Sequence, residues 1–253
     1  KGDAADDFIK EYVEKSEQIK KQGLSFRDIV SKDFFSMDSS KSMHIPVGIG
    51  DGDSIVDIII GEGSSHHGLI AGATGSGKST LLHTLIMSSM LHYSPEQLNL
   101  YLMDFKSGTE FKVYESVKLP HIKLLALDAM QEFGESILEK LAGRSDGDEK
   151  SEIDKRGELF KSVGQTSLSG YIQATGKPLP RILVIMDEFQ VLFNDSLNRK
   201  FAMNCAELAK RIVTEGRSFG IHLLMATQST KVISDLTLSR GTIEQMRIRI
   251  GLK

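Results

Sequence analysis

Two periods run through the apolar positions of the chain. In "DDFIKEYVEKSEQIKK", Ile9, Tyr12, Val13 and Ser16 share one face at helical spacing, with charges elsewhere, which predicts a docked N-terminal helix. "MHIPVGIGDGDSIVDIII" reads as two strands around a turn at Gly50 to Asp53, a hairpin expected at the edge of the main domain. Five apolar runs follow: Gly68–Ala71, Leu98–Met103, Ile122–Leu127, Ile182–Met186 and Ile221–Ala226. None alternates strictly, as expected of strands covered on both faces. Helical stretches separate them, and that succession predicts a mostly parallel, doubly wound α/β sheet with helices on both faces. One helix carries Leu82, Leu85, Ile86, Ser89 and Met90 on a stripe; another, beginning after Asp195, carries Phe201, Cys205, Leu208 and Ile212. "AGRSDGDEKSE", residues 142 to 152, is polar and reads as a loop. "MRIRIGLK" does alternate, Ile248, Ile250 and Leu252 against Arg247, Arg249 and Lys253, and predicts a half-exposed strand.

Composition narrows the picture only a little. The 253 residues suffice for one large α/β domain or two small ones. With 40% hydrophobic and 26% charged residues the sequence reads as an ordinary globular one. A net charge of −3 gives no global sign of nucleic-acid binding, which would need a local basic surface. A single cysteine, Cys205, excludes an internal disulfide and fits a reducing compartment. No apolar run approaches the length of a membrane span. The expected location is therefore cytoplasmic. The strand-like stretch up to Lys253 suggests a C-terminally truncated fragment of a longer protein, whose other parts are free to tether it to a membrane.

The chemistry starts at Gly72-Ala73-Thr74-Gly75-Ser76-Gly77-Lys78-Ser79, which fits G-x-x-x-x-G-K-[ST] at every fixed position, with a strand before and a helix after. Glycines let the backbone curl so that successive N–H groups face phosphate oxygens. The helix that starts here adds the positive end of its dipole. Lys78 supplies a mobile charge for the β- and γ-phosphates, the Ser79 hydroxyl is placed to ligate Mg²⁺, and Thr80 to touch the α-phosphate. The motif points to a nucleoside triphosphate without choosing the base.

"RILVIMDEFQ" ends an apolar run with Asp187 and Glu188. An acid at that strand tip binds Mg²⁺ in P-loop enzymes, and the next one is placed to orient the attacking water. This pair favours an ATPase over a GTPase. "GIHLLMATQ" offers Thr227 and Gln228 at another tip, where a polar group can contact the γ-phosphate or the water. Asp104 and Lys106, at a third tip, read equally well as site residues or as a structural ion pair.

Together "GATGSGKS", "NLYLMDFKSGTEF", "LPHIKLLALD", "EIDKRGELF", "PRILVIMDEFQVLF" and "GRSFGIHLLMATQ" resemble the FtsK/SpoIIIE family of P-loop motors, in the family's order and over about residues 45 to 253. The resemblance implies a RecA-like ATPase domain at 44–253, behind an N-terminal helical segment at 1–43. It implies ATP, a ring that is usually a hexamer, and hydrolysis that moves a polymer through the ring. In most relatives that polymer is double-stranded DNA, the first expectation here. In the type VII secretion (EssC-like) branch the cargo is a secreted protein. A nucleotide-controlled assembly scaffold is a further alternative. Carried over by motif, Lys78 and Ser79 take the phosphate-loop roles, Asp187 the magnesium role, Glu188 that of base, and Gln228 that of sensor. Arg217, in "GRS", is placed to face a neighbouring subunit. Relatives usually carry an arginine early in the helix after "LPH"; here "DAMQEFGESILEKL" has none, which leaves either Arg144 or Arg156 as a substitute or the usual contact to a neighbouring subunit absent.

The other residues have plainer explanations. His66 and His67 are adjacent and cannot both face one ion from a strand, and His83 and His92 fall on opposite sides of a helix, so no structural zinc site is expected. Cys205 lies on an apolar stripe and reads as core. Arg199 with Lys200 and Lys210 with Arg211 recur about three turns apart, which fits a solvated face better than a DNA-facing one.

Overall fold

The five apolar runs and the alternating C-terminal stretch become six strands of one sheet. The structure, a computed structural model, describes residues 25–61, 63–106, 109–127, 130–143, 149–194, 198–228 and 237–253. The helix expected over Ile9–Ser16 lies outside the described residues, as does Arg144. A short helix α1 (Phe26–Ile29) precedes a hairpin of β1 (Met43–Ile49) and β2 (Ile55–Ile60). Strands β3 (His67–Gly72), β4 (Leu98–Asp104), β5 (Ile122–Ala126), β6 (Arg181–Asp187), β7 (Ile221–Thr227) and β8 (Met246–Leu252) form the main sheet in the order β5-β4-β6-β7-β3-β8. Every neighbouring pair runs parallel.

Helices cover both faces. Along β6, Ile182, Val184 and Met186 point to the side packed by α3 (Gln131–Ala142) and α7 (Arg199–Phe219), where Ile137, Leu138, Cys205, Leu208 and Ile212 complete the core. Leu183 and Ile185 point to the other side, onto Leu82, Leu85 and Ile86 of α2 (Lys78–His92). Two buried faces explain why these strands show no single-sided alternation. β8 does alternate, with Arg247 and Arg249 exposed and the isoleucines half-buried, because it is an edge strand. Helices α4 (Glu152–Ser162) and α5 (Leu168–Thr175) lead into β6, the one-turn α6 (Gln190–Phe193) follows it, and α8 (Arg240–Gln245) precedes β8.

The hairpin stands apart from the main sheet. It forms its own two-stranded sheet and lays Met43, Ile45, Ile58 and Ile60 over α2. Helix α2 is thus covered on two sides, and its Ser88, Ser89 and His92 are buried along with its leucines. One expectation needs correction: the alternation of strand and helix fails between β4 and β5, where the described residues form a 3₁₀ turn at Lys112–Tyr114 and no α-helix. That segment buries Phe111 and Tyr114 but leaves Val113 and Val117 exposed, so it has no continuous apolar stripe for a helix to bury.

Candidate active site

Parallel strands place their C-terminal tips along one edge, where open α/β sheets bind ligands. Here Asp104 of β4 pairs in register with Asp187 of β6, Asp187 with Ala226 of β7, and Ala71 of β3 with Thr227. The phosphate turn leaves β3 at this edge. Gly75 and Gly77 have φ of 84° and 89°, a left-handed conformation that disfavours any side chain. Gly77 caps α2 without any side-chain hydrogen bond, so the first N–H groups of the helix remain free for an anion. Ala73, Thr74, Gly75, Gly77, Ser79 and Thr80 are exposed.

Lys78 does not point to solvent. It is 6% exposed, its Nζ is bonded to Oδ1 of Asp187, and it lies 3.7 Å from Oε1 of Glu188. Burial pushes the Asp187 carboxyl up to about 6, although Lys78 pulls it down; Glu188 and Glu110 add to the rise. Glu188 follows β6 with φ of 54°, a strained value for a residue with a side chain and one that occurs at functional turns. Its Oε2 accepts a hydrogen bond from the Gln190 amide at 2.6 Å, while Oε1 is buried with no hydrogen bond.

Sequence reasoning missed Glu110. Its Oε2 accepts a hydrogen bond from the Ser79 hydroxyl at 2.7 Å, and Oε1 lies 3.5 Å from His83 Nε2. Asp104 explains how Glu110 arrives there. Its two carboxylate oxygens accept from the backbone N–H groups of Lys106 and Glu110, both at 3.0 Å, which holds Glu110 beside the strand tip. Asp104 therefore holds backbone N–H groups rather than pairing with Lys106. Lys106 Nζ instead donates to Gln228 Oε1 at 3.0 Å, and that oxygen also accepts from Thr74 at 3.4 Å. Gln228 thus links the tip of β7 to the phosphate turn.

Three carboxylates, of Glu110, Asp187 and Glu188, converge near one ammonium, and buried Oε1 atoms of Glu110 and Glu188 lack hydrogen bonds. A divalent cation fits that surplus of negative charge. Among the described residues no group of three or more His, Cys, Asp or Glu could hold a metal ion unaided. Magnesium in this site would complete its shell with nucleotide oxygens and water, as it commonly does.

Some expected residues stand elsewhere. Arg156 is 3% exposed and spent on structure: it bonds Glu152 at 2.7 Å and the carbonyls of Phe219 and Pro180 at 2.7 and 2.9 Å. It cannot substitute for the missing arginine. Arg217 sits near the C-terminal end of α7, just before β7, and so lies at the opposite edge of the sheet from the phosphate turn. Lys210 pairs with Glu207, and Arg211 with Asp154 and Glu215, which makes that face of α7 a salt-bridged one. Arg199 and Lys200 are exposed, and Cys205 is buried in the core. Among the described residues no helix is long and apolar enough to cross a membrane.

The profile of the FtsK/SpoIIIE family matches residues 27–232. ESX secretion system protein EccC of Geobacillus thermodenitrificans is 29% identical over 233 residues, covering 88% of this chain and 14% of the relative. ESX-5 secretion system protein EccC5 of Mycobacterium marinum is 31% identical over 200 residues, covering 76% and 13%. Among solved structures, the cytoplasmic domain of the Thermomonospora curvata type VII secretion ATPase EccC superposes with a TM-score of 0.60 at 28% identity, covering 91% of this chain and 25% of that one. This chain therefore spans about a seventh of the length of those two relatives.

Proposed function

The chain belongs to the FtsK/SpoIIIE family as a P-loop ATPase domain with a RecA-like α/β fold, and from that premise we propose that it powers the export of polypeptide, as one domain of a larger secretion ATPase. The observation that supports this cargo over double-stranded DNA is that the curated relatives above carry ESX secretion names. The pairing of Lys210 and Arg211 with acids agrees with it, because it removes the basic stripe that a DNA backbone would need.

The proposed chemistry is transfer of the γ-phosphoryl group of ATP to water. The bond to the β-phosphate oxygen breaks, and ADP and phosphate leave. The amides of the turn at Gly72–Gly77 and the Lys78 ammonium hold the phosphate charge. For that, Lys78 exchanges its contact with Asp187 for the nucleotide. Ser79 and Asp187 are the residues that would hold Mg²⁺, which when bound neutralises charge on the β- and γ-phosphates. Glu188, with one carboxylate oxygen held by Gln190 and the other without a hydrogen bond, orients the water and takes its proton. Gln228 reads the state of the phosphate turn through Thr74 and passes it to Lys106.

Arg156 is buried and Arg217 lies at the far edge, so neither serves this site, and the arginine finger is placed on another ATPase domain as part of the proposal. Assembly into a ring, with six subunits expected, is part of the proposal. The test is ATP turnover measured alone, with a candidate secreted protein, and with duplex DNA. Stimulation by the secreted protein is expected; stimulation by DNA alone would overturn the cargo, and turnover strictly proportional to protein concentration would overturn the shared site.

A further inference from the structure

The N-terminal edge of the sheet, opposite the phosphate turn, carries a second polar constellation. A cavity of about 250 Å³ opens there, lined by His66 and His67 at the start of β3, Arg217 of α7, and Gln245 and Arg247 at the start of β8. Its volume falls just short of the range for whole small-molecule ligands, so it suits a single charged group better than a nucleotide. Among the described residues no carboxylate lines it, and neither Arg217 nor Arg247 forms an ion pair there.

The histidine tautomers can be assigned from their partners. The Leu223 N–H donates to His67 Nδ1 at 3.1 Å, so the ring proton of His67 sits on Nε2. His67 is 1% exposed, and burial keeps it neutral, with its pKa lowered to about 3. Its Nε2–H is a fixed donor, buried, without an acceptor. His66 presents the reverse. Its Nε2 donates to the Gly63 carbonyl at 3.0 Å, which leaves Nδ1 as a buried acceptor without a donor. His222, packed against both rings, is satisfied: Nδ1 donates to the His66 carbonyl and Nε2 accepts from Arg181, each at 3.0 Å. A buried donor or acceptor left unpaired is destabilising, and structures rarely keep one without a use.

One chemical group answers all four demands. It must be anionic for Arg217 and Arg247, accept from His67, and donate to His66. A phosphoryl group still carrying one proton does this, since its second ionisation lies near neutral pH. Sulfate and carboxylate are fully ionised at that pH and offer acceptors only. We propose that this cavity binds a monoprotonated phosphoryl group, either the free ion or a monoester.

The test is histidine side-chain NMR of the whole chain at neutral pH, titrated with inorganic phosphate, O-phosphoserine, sulfate and acetate. His66 and His67 resonances are expected to move saturably with phosphate or phosphoserine while His121 stays put; phosphate held at the other site moves the Gly75 and Gly77 amides instead. Phosphate ranking above phosphoserine assigns the site to the free ion, and the reverse ranking to a phosphorylated chain. Arg217→Met and Arg247→Met, both at exposed positions that the fold tolerates, are each expected to weaken binding by about tenfold or more. Sulfate is expected to bind about tenfold more weakly or worse, because it leaves His66 Nδ1 unpaired. Unmoved histidines, arginine variants that bind as well as the parent, or sulfate binding as tightly as phosphate would each overturn the proposal.

Discussion

Replacing Lys78 with methionine should destabilise the nucleotide-free protein in a way that depends steeply on pH. The buried Asp187 carboxyl titrates near 6 against 3.8 when unfolded, so its folded form holds a proton that the unfolded chain releases. Stability is therefore lost as pH rises through that window, by about 3 kcal/mol once the carboxylate is charged. Lys78 is the group that pulls this carboxyl down. Without it the carboxyl stays protonated to higher pH, and the penalty is capped by the work of keeping that proton. Against the wild type, the extra loss is at most a fraction of about 1 kcal/mol at pH 6 and grows to a ceiling of about 3 kcal/mol at pH 8. Altered packing by the methionine adds an offset that does not vary with pH. The assay is urea unfolding of both proteins with a chelator present and no nucleotide, at those two values. A difference in stability equal at pH 6 and pH 8 would refute the reasoning, because it would mean that the Lys78 ammonium does not control the charge of Asp187.

The remaining predictions concern catalysis and the fold. Glu188→Gln should slow hydrolysis by about a hundred- to ten-thousand-fold while nucleotide affinity stays near wild type, as read by calorimetry beside turnover; unchanged turnover would sink the role of base. Burial holds His67 and His222 below the ordinary 6.5, so they lend stability fully present above that pH and lost below it. The loss is at most about 1.4 kcal/mol per pH unit for each, partly offset by Asp187 taking up its proton, and a urea midpoint that does not fall between pH 6.5 and 5 would contradict it. Arg156→Met should remove about 3 kcal/mol of stability by orphaning the carbonyls of Phe219 and Pro180 and the Glu152 carboxylate. Turnover at a temperature where the variant is folded should be unchanged.

The phosphate turn was legible because its signal is local: the glycines, Lys78 and Ser79 lie within one strand–turn–helix. Asp187 and Glu188 were legible because an apolar run ends on them. Glu110 carried no such signal, since it reaches Ser79 only through the two backbone hydrogen bonds to Asp104. The histidine cavity was equally hidden. His67 packs on His222 and shares the cavity with Arg247 because parallel register aligns the starts of β3, β7 and β8, and spacing along the chain does not encode that alignment. The hairpin was legible as an element, but its apolar positions do not say which surface they cover, and the back of α2 is that surface. Cargo was read first as DNA because the motifs that carry the resemblance build the nucleotide site, and those motifs carry no signal for a cargo.

The double cover on α2 has a mechanical consequence. With the sheet on one flank and the hairpin on the other, the helix that receives the phosphates is a fixed anvil. Displacement on loss of the γ-phosphate is then expected at the groups bonded around it, Lys106, Glu110 and the strand end at Gln228. Amide hydrogen exchange that quickened along α2 rather than at those residues would place the hinge elsewhere.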